Sequence, residues 1–269
     1  MSVYSTGTTG TVGKYLNGIT QSLDINLISP IEDFSKLRFN TGSCIIHLAG
    51  IVGNSNISHD INHSYKVNVE GSIKLAKIAL AQNVDKFIFV STSHVYKPSD
   101  NLLNESSILL PSSIYAYQKL WTELELKKIF AKQPEKLCIV RVFSILDWDV
   151  ADYSLGGGIK KLVYNDLHYK LINSSDVRDF LTPRKVAEVL LKIANISGLS
   201  GVVNLCSGNG TSIEDAVMRM LDESDLSIDR TKILNGNSEN PYSVGDNSKL
   251  LSLIPELDLI WRPSKYLSN

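Results

Sequence analysis

The residues Val3-Tyr4-Ser5-Thr6-Gly7-Thr8-Thr9-Gly10-Thr11-Val12-Gly13 open the chain with an apolar strand, a turn and glycines at every third position. Gly7 permits a tight turn, Gly10 lets the backbone approach a pyrophosphate, and Gly13 lets a helix pack closely on a sheet. The N-terminus of that helix would offer free N–H groups and a partial positive charge to phosphate. The stretch therefore predicts a dinucleotide site formed by these glycines and by their neighbours Thr9, Thr11 and Val12.

Short apolar runs alternate with longer amphipathic runs over the first two thirds of the chain. The apolar runs predict strands at 3–5, 25–29, 44–49, 86–91 and 137–142. The amphipathic runs predict helices at 10–19, 64–81 and 115–131. Alternation at this spacing predicts an α/β fold in which a doubly wound parallel sheet carries helices on both faces.

The pattern changes after Ser144. Gly156-Gly157-Gly158 predicts a hinge or a loop. Further on, an amphipathic run predicts a helix at 178–194 and an apolar run predicts a strand at 202–205.

These patterns divide the chain into two domains. We expect residues 1–150 to form the nucleotide-binding domain, to which 176–200 return. Residues 151–175 and 201–269 then form a smaller, discontinuous C-terminal lobe that binds the substrate.

Composition excludes several classes of protein. The 269 residues include 27 Lys+Arg and 28 Asp+Glu, and this near-neutral charge argues against a nucleic-acid partner. No apolar run approaches the ~18 residues of a membrane span, and no basic stretch precedes an apolar one as in a signal peptide. Three separated cysteines fit buried thiols better than a zinc site, so we expect a metal-free, soluble, cytoplasmic protein.

The second predicted strand bears on the choice of cofactor. A dinucleotide fold usually ends this strand with an acidic residue that holds the adenosine ribose hydroxyls, and Ser29 stands at that position. Without the acid, a 2′-phosphate meets no repulsion there, although the nearest cations, Lys36 and Arg38, come later in the chain. The sequence predicts NAD or NADP, with a slight preference for NADP.

Two further segments carry catalytic side chains. Phe87-Ile88-Phe89-Val90-Ser91-Thr92-Ser93 is a strand that ends in hydroxyl groups, and Tyr115-Ala116-Tyr117-Gln118-Lys119 opens a predicted helix. Side chains four apart share a helix face, so a lysine ammonium at 119 can stabilise the phenolate of Tyr115. Such a tyrosine can exchange a proton with a sugar or alcohol oxygen while a nicotinamide exchanges hydride. Tyr117 has Trp121 four residues later and therefore lacks this partner.

In this order the segments resemble the extended short-chain dehydrogenase/reductases, specifically the NAD-dependent epimerase/dehydratase family of nucleotide-sugar enzymes. The resemblance covers nearly the whole chain and implies a Rossmann-like fold. Its motifs are Thr6-Gly7 to Gly13, Ile46-His47-Leu48-Ala49-Gly50, Asn68-Val69-Glu70-Gly71-Ser72, Ser91-Thr92-Ser93, Tyr115 to Lys119 with Glu123, Arg178-Asp179-Phe180, Asn204 to Gly208 and Asp246-Asn247-Ser248-Lys249-Leu250.

The resemblance also implies roles for individual residues. Tyr115 would be the acid/base, Lys119 would hold the phenolate and the nicotinamide ribose, and Ser93 would hydrogen-bond the reacting oxygen. Further contacts along the cofactor are implied for Leu48, Ala49, Gly50, Asn68 and Ser91.

Two implied substrate contacts have ordinary alternatives. Arg178 would face the diphosphate of a nucleotide sugar, because a guanidinium fork matches phosphate oxygens; a salt bridge with Asp176 or Asp179 is the other explanation. His94 would be an added proton donor beside the sugar, and an exposed loop histidine is the other explanation.

Three functions fit these features. The first is an NAD(P)-dependent reductase of a keto group, commonly the 4-keto group, on a nucleotide-activated deoxysugar. The second is a nucleotide-sugar 4-epimerase with tightly held NAD, and the third is a non-catalytic dinucleotide-sensing or scaffold protein. Dehydration is disfavoured because Ser93-His94 stands where the family's dehydratases carry Asp-Glu.

The resemblance implies polysaccharide biosynthesis as the setting, a nucleotide sugar as the small-molecule partner, and a homodimer formed through two helices. The apolar faces of 64–81 and 115–131 are explained equally well by packing in the core of one chain.

Overall fold

The computed structural model of the protein describes residues 1–23, 25–28, 34, 36–165, 169–171, 174–224, 233–235 and 242–265. The chain divides into two compact units. The first unit comprises Met1–Lys97, Ile108–Val142 and Val186–Asn204. The second comprises Pro98–Ser107, Phe143–Lys185 and Leu205–Asn269, and so takes in 143–150 and 176–185, which the sequence pattern placed with the nucleotide-binding domain.

The strands follow one another along the described residues. They are β1 (Val3–Thr6), β2 (Gln21–Ser22), β3 (Cys44–His47), β4 (Lys86–Thr92), β5 (Leu137–Val142), β6 (Ser144–Ile145), β7 (Tyr169–Leu171), β8 (Val177–Leu181), β9 (Gly201–Leu205), β10 (Gly210–Ser212), β11 (Ile233–Asn235) and β12 (Tyr242–Ser243).

The helices alternate with these strands. They are α1 (Asn54–His59), α2 (Ile61–Tyr65), α3 (Ser72–Ala81), α4 (Ile114–Ile129), α5 (Leu155–Asn165), α6 (Pro183–Asn195), α7 (Ile213–Asp222) and α8 (Ser248–Leu253). A π-helical turn at Lys66–Gly71 joins α2 to α3, and short 3-10 turns lie at Gly13–Tyr15, Ser93–Val95 and Pro134–Lys136.

The first unit is built on a six-stranded sheet with the order β2-β1-β3-β4-β5-β9. β1 pairs in parallel with both β2 and β3, and the parallel pairing continues through β4 to β5. The chain therefore moves outward from β1 to β2 and then returns to β3 on the other side of β1. This reversal between β1 and β3 is a topological switch point, where open α/β sheets bind their ligands.

The core of this unit lies between the sheet and its helices. Ile45 of β3, Phe87 and Phe89 of β4, and Ile139 of β5 have no exposed surface, and Leu126 of α4 packs among them. Near-continuous apolar strands of this kind are typical of parallel sheets covered on both faces. The predicted doubly wound α/β fold is confirmed.

The first crossover is shorter than the sequence predicted. Residues 10–19 were expected to form a helix, but only the 3-10 turn Gly13–Tyr15 is helical, and Gly18 then adopts a positive φ of 77°. The strand expected at 25–29 is wrong for 25–28, because β2 at Gln21–Ser22 takes its place beside β1. The dipeptide Asn17-Gly18 indicates that the helix cannot continue, since this pair favours a turn.

Two other predictions for local structure are corrected. Gly156-Gly157-Gly158 lies inside α5 and not in a hinge. A Cβ at Gly156 would come within 2.3 Å of the Asp147 carbonyl oxygen, so these glycines let the helix pack closely against the preceding loop. Residues 178–181 belong to β8 and not to a helix; α6 begins at Pro183, where the missing N–H of proline costs no hydrogen bond.

The second unit is organised around β8. This strand pairs antiparallel with β10 and in parallel with β12 and β6. The apolar core of the second unit contains Leu146, Trp148, Phe180, Met220 and Trp261. None of the helices in the described part of the chain is both long and apolar enough to cross a membrane.

The glycine turn generates a prediction for stability. A Cβ at Gly13 would come within 2.0 Å of the Gly7 carbonyl oxygen, whereas a Cβ at Gly10 would stay 3.3 Å from the same atom. We expect Gly13→Ala to lower the free energy of unfolding by about 1–3 kcal/mol, because rigid backbone must move. Gly10→Ala is the matched control and should change it by less. Urea unfolding measures both, and equal midpoints for the two variants would contradict this packing.

Candidate active site

A cavity of about 390 Å³ lies at the switch point in the first unit. The turn after β1 and the loop after β3 form two of its walls, and 25–28 form another. The predicted cofactor residues that line it are Gly7, Thr9, Gly10, Leu48, Ala49 and Gly50. The structure therefore brings together residues from two separate motifs at the place where the topology predicts a ligand.

The two walls approach each other closely at Gly7. Its φ is +72°, and a Cβ there would lie 2.7 Å from the Ala49 nitrogen. Gly10 donates its N–H to the Gly7 carbonyl over 3.0 Å, which closes the turn. A bare, tightly turned backbone beside an open cavity fits the pyrophosphate of a dinucleotide.

A chain of buried hydrogen bonds supports these walls from below. The Ala49 N–H donates to the Thr6 hydroxyl over 3.2 Å, and that hydroxyl lies 2.7 Å from Nδ1 of His47. Nε2 of His47 lies 2.8 Å from the Ser72 hydroxyl, which donates to the Asn68 carbonyl over 2.7 Å. This series of hydrogen bonds runs from the loop after β3 to the π-helical turn.

The direction of these hydrogen bonds bears on which nitrogen of His47 carries a proton. Because the Ser72 hydroxyl uses its proton on Asn68, Nε2 of His47 must donate to Ser72, and Nδ1 of the neutral ring is then the acceptor for the Thr6 hydroxyl. Burial lowers the pKa of His47 to about 3, with the positive charge of Lys119 acting in the same direction. His47 is thus a neutral link at physiological pH.

Asn68 links the loop after β3 to the helix that carries the predicted acid/base. Its Oδ1 accepts from the Ile51 N–H over 2.7 Å, and its Nδ2 donates to the Ile51 carbonyl and to the Gln118 side chain. A Cβ at Gly50 would lie 3.0 Å from Asn68 Oδ1 and 3.8 Å from Lys119 Nζ. Gly50, Asn68 and Lys119 therefore meet at one point.

Lys119 is buried beneath the predicted acid/base. It lies on α4, and its Nζ donates to the Val90 carbonyl over 2.8 Å. The same nitrogen lies 4.6 Å from the centre of the Phe89 ring and 6.0 Å from the centre of the Tyr115 ring. Burial lowers the pKa of Lys119 to about 8, while Glu123 acts to raise it. The predicted Tyr115/Lys119 pair is thus present on one helix face, and Lys119 stays protonated at neutral pH.

Three more of the predicted site residues lie at the end of β4 or directly after it. Ser93 is buried in the 3-10 turn that packs against α4, while the side chain of His94 in the same turn is exposed. Ser91 is buried below, and its hydroxyl donates to Glu123 over 2.5 Å. Ser91 is therefore tied to the protein interior.

The remaining residues predicted for the cofactor do not line the cavity. Gly13 and Val12 are buried behind the turn, and Thr11 is half-buried beside them. Ser29 lies outside the described residues. Because β2 ends at Ser22, the second strand stops well before Ser29. The preference for NADP assumed that Ser29 ends this strand, and it loses that support.

Arg178 lies in the second unit, on β8. Its guanidinium forms an ion pair with the fully buried Asp176 and donates to the Val177 carbonyl over 3.1 Å. The carboxylate of Asp179 instead accepts backbone N–H groups from Ser207, Gly208 and Gly245. The salt bridge predicted as the alternative for Arg178 is therefore formed with Asp176.

Sequence patterns missed two polar residues at the cavity, Asn26 and His63. Asn26 falls in a stretch expected to be strand, and His63 belongs to the short helix α2, whose first turn is capped by the Asp60 carboxylate. Neither residue is part of a recognisable motif. Only the fold brings them to the cavity wall.

A model of the NAD-dependent epimerase/dehydratase family matches residues 3–206. The chain belongs to this family. One relative is the GDP-6-deoxy-D-talose 4-dehydrogenase of Aggregatibacter actinomycetemcomitans, 24% identical over 272 residues that cover 94% of this chain and 91% of the relative.

Two solved structures share the fold. RMD from Pseudomonas aeruginosa, complexed with NADPH, superposes with a TM-score of 0.81 at 18% identity, covering 98% of this chain and 94% of that one. UDP-glucose 4-epimerase from Thermus thermophilus, complexed with NAD, superposes with a TM-score of 0.79 at 17% identity, covering 96% and 95%. This family fold therefore occurs with NAD in one neighbour and with NADPH in another.

The neutral state of His47 generates a prediction for acid stability. An unfolded histidine binds a proton near pH 6.5, whereas buried His47 does so only near pH 3, so the unfolded state binds more protons between these values. The free energy of unfolding should therefore fall with decreasing pH across this window, by up to about 1.4 kcal/mol per pH unit from this group. His47→Gln, which can keep one donor and one acceptor, should remove that part of the slope.

Chemical unfolding at a series of pH values measures the effect. His59→Gln is the control for the same substitution at an exposed histidine. Identical pH slopes for wild type and His47→Gln would contradict a neutral, buried His47.

Proposed function

We propose that the protein is an NAD(P)-dependent nucleotide-sugar oxidoreductase that reduces a keto group, the 4-keto group of a nucleotide-activated deoxysugar. The observation that carries the proposal is the buried Lys119 ammonium beneath Tyr115 on α4. In this proposal the first unit binds the dinucleotide, and the second unit binds the nucleotide sugar.

The proposed chemistry divides between the cofactor and three side chains. A nicotinamide cofactor held at the cavity walls by Gly7, Ala49 and Gly50 would supply the hydride for the keto carbon of the sugar. The Tyr115 hydroxyl donates a proton to the keto oxygen on reduction, while Lys119 stabilises the phenolate that remains. Ser93 orients the same oxygen by a hydrogen bond.

Reduction is favoured over epimerisation by the relative named as a 4-dehydrogenase of a 6-deoxysugar nucleotide, whose alignment covers 94% of this chain. An epimerase must retain its dinucleotide through the catalytic cycle, whereas a reductase exchanges it.

The 4-epimerase remains the second candidate, because a structural neighbour with this fold carries that name. Purified protein should be denatured and any released nucleotide identified, and empty protein should be titrated with NADH and NADPH. Exchangeable binding supports the reductase, and stoichiometric NAD retained through purification supports the epimerase. Binding of a nucleotide without turnover would support a sensing or scaffold role, and the same titration decides between NAD and NADP.

Removal of the Tyr115 hydroxyl tests the mechanism. Tyr115→Phe should lower turnover by about 100-fold or more, because the proton donor is lost, and should leave cofactor affinity nearly unchanged. Tyr117→Phe is the matched control, since Tyr117 lies on the same helix with 57% of its surface exposed. The first assay uses GDP-6-deoxy-D-talose with NAD⁺ or NADP⁺, and near-normal turnover of Tyr115→Phe would refute the assignment.

We further propose that the protein forms a homodimer through α4. Ile114, Tyr117, Trp121 and Leu124 follow one another at helical spacing, and each is more than a third exposed. A stripe of aromatic and aliphatic side chains of this kind is typical of a helix-to-helix interface.

The mass in solution tests the dimer. Light scattering should give twice the chain mass of 29.7 kDa for wild type and a single chain mass for Trp121→Glu, because a buried charge opposes association. Lys265→Glu is the control, because this exposed lysine lies outside both helices predicted for the dimer. A monomeric wild type would contradict the dimer.

A further inference from the structure

Glu123 continues the catalytic face of α4 one turn beyond Lys119. Tyr115, Lys119 and Glu123 are spaced by four residues, so their side chains lie one above another on the helix. The side chain of Glu123 has no exposed surface. A buried carboxylate is costly unless charge and hydrogen bonds compensate it, so its partners reveal its role.

Two neighbouring strands supply those partners. Arg141 of β5, itself only 1% exposed, donates from Nε to Oε1 of Glu123 over 3.1 Å and from Nη2 to Oε2 over 2.6 Å. Ser91 of β4 donates to Oε1 over 2.5 Å. One carboxylate thus ties α4 to both strands through charge-assisted bonds, which are the stronger and more directional kind.

Arg141 is held in place on its other side. Its guanidinium lies 4.7 Å from the centre of the Tyr96 ring, and the Tyr96 hydroxyl donates to Asn204 over 2.7 Å. The Glu123–Arg141 pair is therefore a fixed, buried feature and not a flexible surface contact.

Glu123 also acts electrostatically on the buried charge of Lys119. The groups around Lys119 from other elements are uncharged: His47 of β3 is neutral, and β4 presents the Phe89 ring and the Val90 carbonyl. Among the described residues, Glu123 is the negative charge that acts on Lys119 and favours its protonated form.

We propose that Glu123 is a positioning residue for the reaction: through its bonds to Arg141 and Ser91 it holds the catalytic face of α4, with Lys119 at the Val90 carbonyl, against β4 and β5. This role rests on the proposed function, because only a charged Lys119 can stabilise the Tyr115 phenolate. Glu123 touches neither substrate nor cofactor in this role and acts through Lys119.

The protonation of Lys119 can be followed without substrate or cofactor. In protein labelled with ¹³C at the lysine Cε, the Lys119 signal is assigned by its absence from Lys119→Arg, and its shift is recorded against pH. Wild type should titrate near pH 8, where the pKa of Lys119 lies. In Glu123→Gln the midpoint should fall by about one pH unit or more, because the opposing charge is gone.

The matched control is Glu125→Gln on the same helix. Glu125 is partly exposed and pairs with Lys128 over 2.7 Å, so the same chemical change is made away from the catalytic face. Its Lys119 midpoint should equal that of wild type. If Glu123→Gln fails to fold because Arg141 is left unpaired, Glu123→Gln/Arg141→Met replaces it, and a smaller fall in the same direction is expected, because this variant also removes the positive charge that is paired with Glu123.

Turnover gives the second readout. Between the two midpoints, the rate of Glu123→Gln should fall about tenfold per pH unit relative to wild type, with near-wild-type activity below both. A Lys119 midpoint that does not move in the Glu123 variants, or that moves equally in Glu125→Gln, overturns the inference. A lowered midpoint together with normal turnover in Tyr115→Phe would refute the proposed function while leaving the charge role of Glu123 intact.

Discussion

A buried ammonium group at Lys119 is the constraint on which this site depends. Removing a cation from water costs several kcal/mol unless hydrogen bonds and an opposite charge compensate it. Lys119 finds one hydrogen bond at the Val90 carbonyl and the opposite charge at Glu123. Glu123 in turn requires Arg141 and Ser91, so a single buried charge fixes the relation of α4 to β4 and β5.

The walls of the cavity are supported by a different device. Beneath the turn after β1 and the loop after β3, the hydrogen bonds from Ala49 through Thr6, His47 and Ser72 to Asn68 contain no charged group. Protonation of His47 would reverse the bond to Thr6, because Nδ1 would become a donor and the Thr6 hydroxyl would have to turn its own proton elsewhere. The nearby charge of Lys119 helps to keep His47 neutral. The charged and neutral networks are therefore coupled through the same lysine.

Local patterns predicted the central strands well and the irregular elements poorly. The strand expected at 137–142 coincides with β5, and the expected run at 86–91 lies within β4, because a buried parallel strand needs continuous apolar residues. The same patterns wrongly predicted a helix at 10–19 and a strand at 25–28. A 3-10 turn and a two-residue strand are too short to produce a periodic pattern of apolar residues. Gly156-Gly157-Gly158 suggested a loop, yet the need for close helix packing explains it.

By itself the sequence determined the fold class, the glycine turn, and the pairing of Tyr115 with Lys119, because each depends on spacings of a few residues. Tertiary structure alone decided that Asn26 and His63 reach the cavity, that His47 is neutral, and that Arg141 meets Glu123. These contacts join residues from separate elements. Their geometry, and the desolvation that sets their charge, exist only when strands distant in the chain lie side by side.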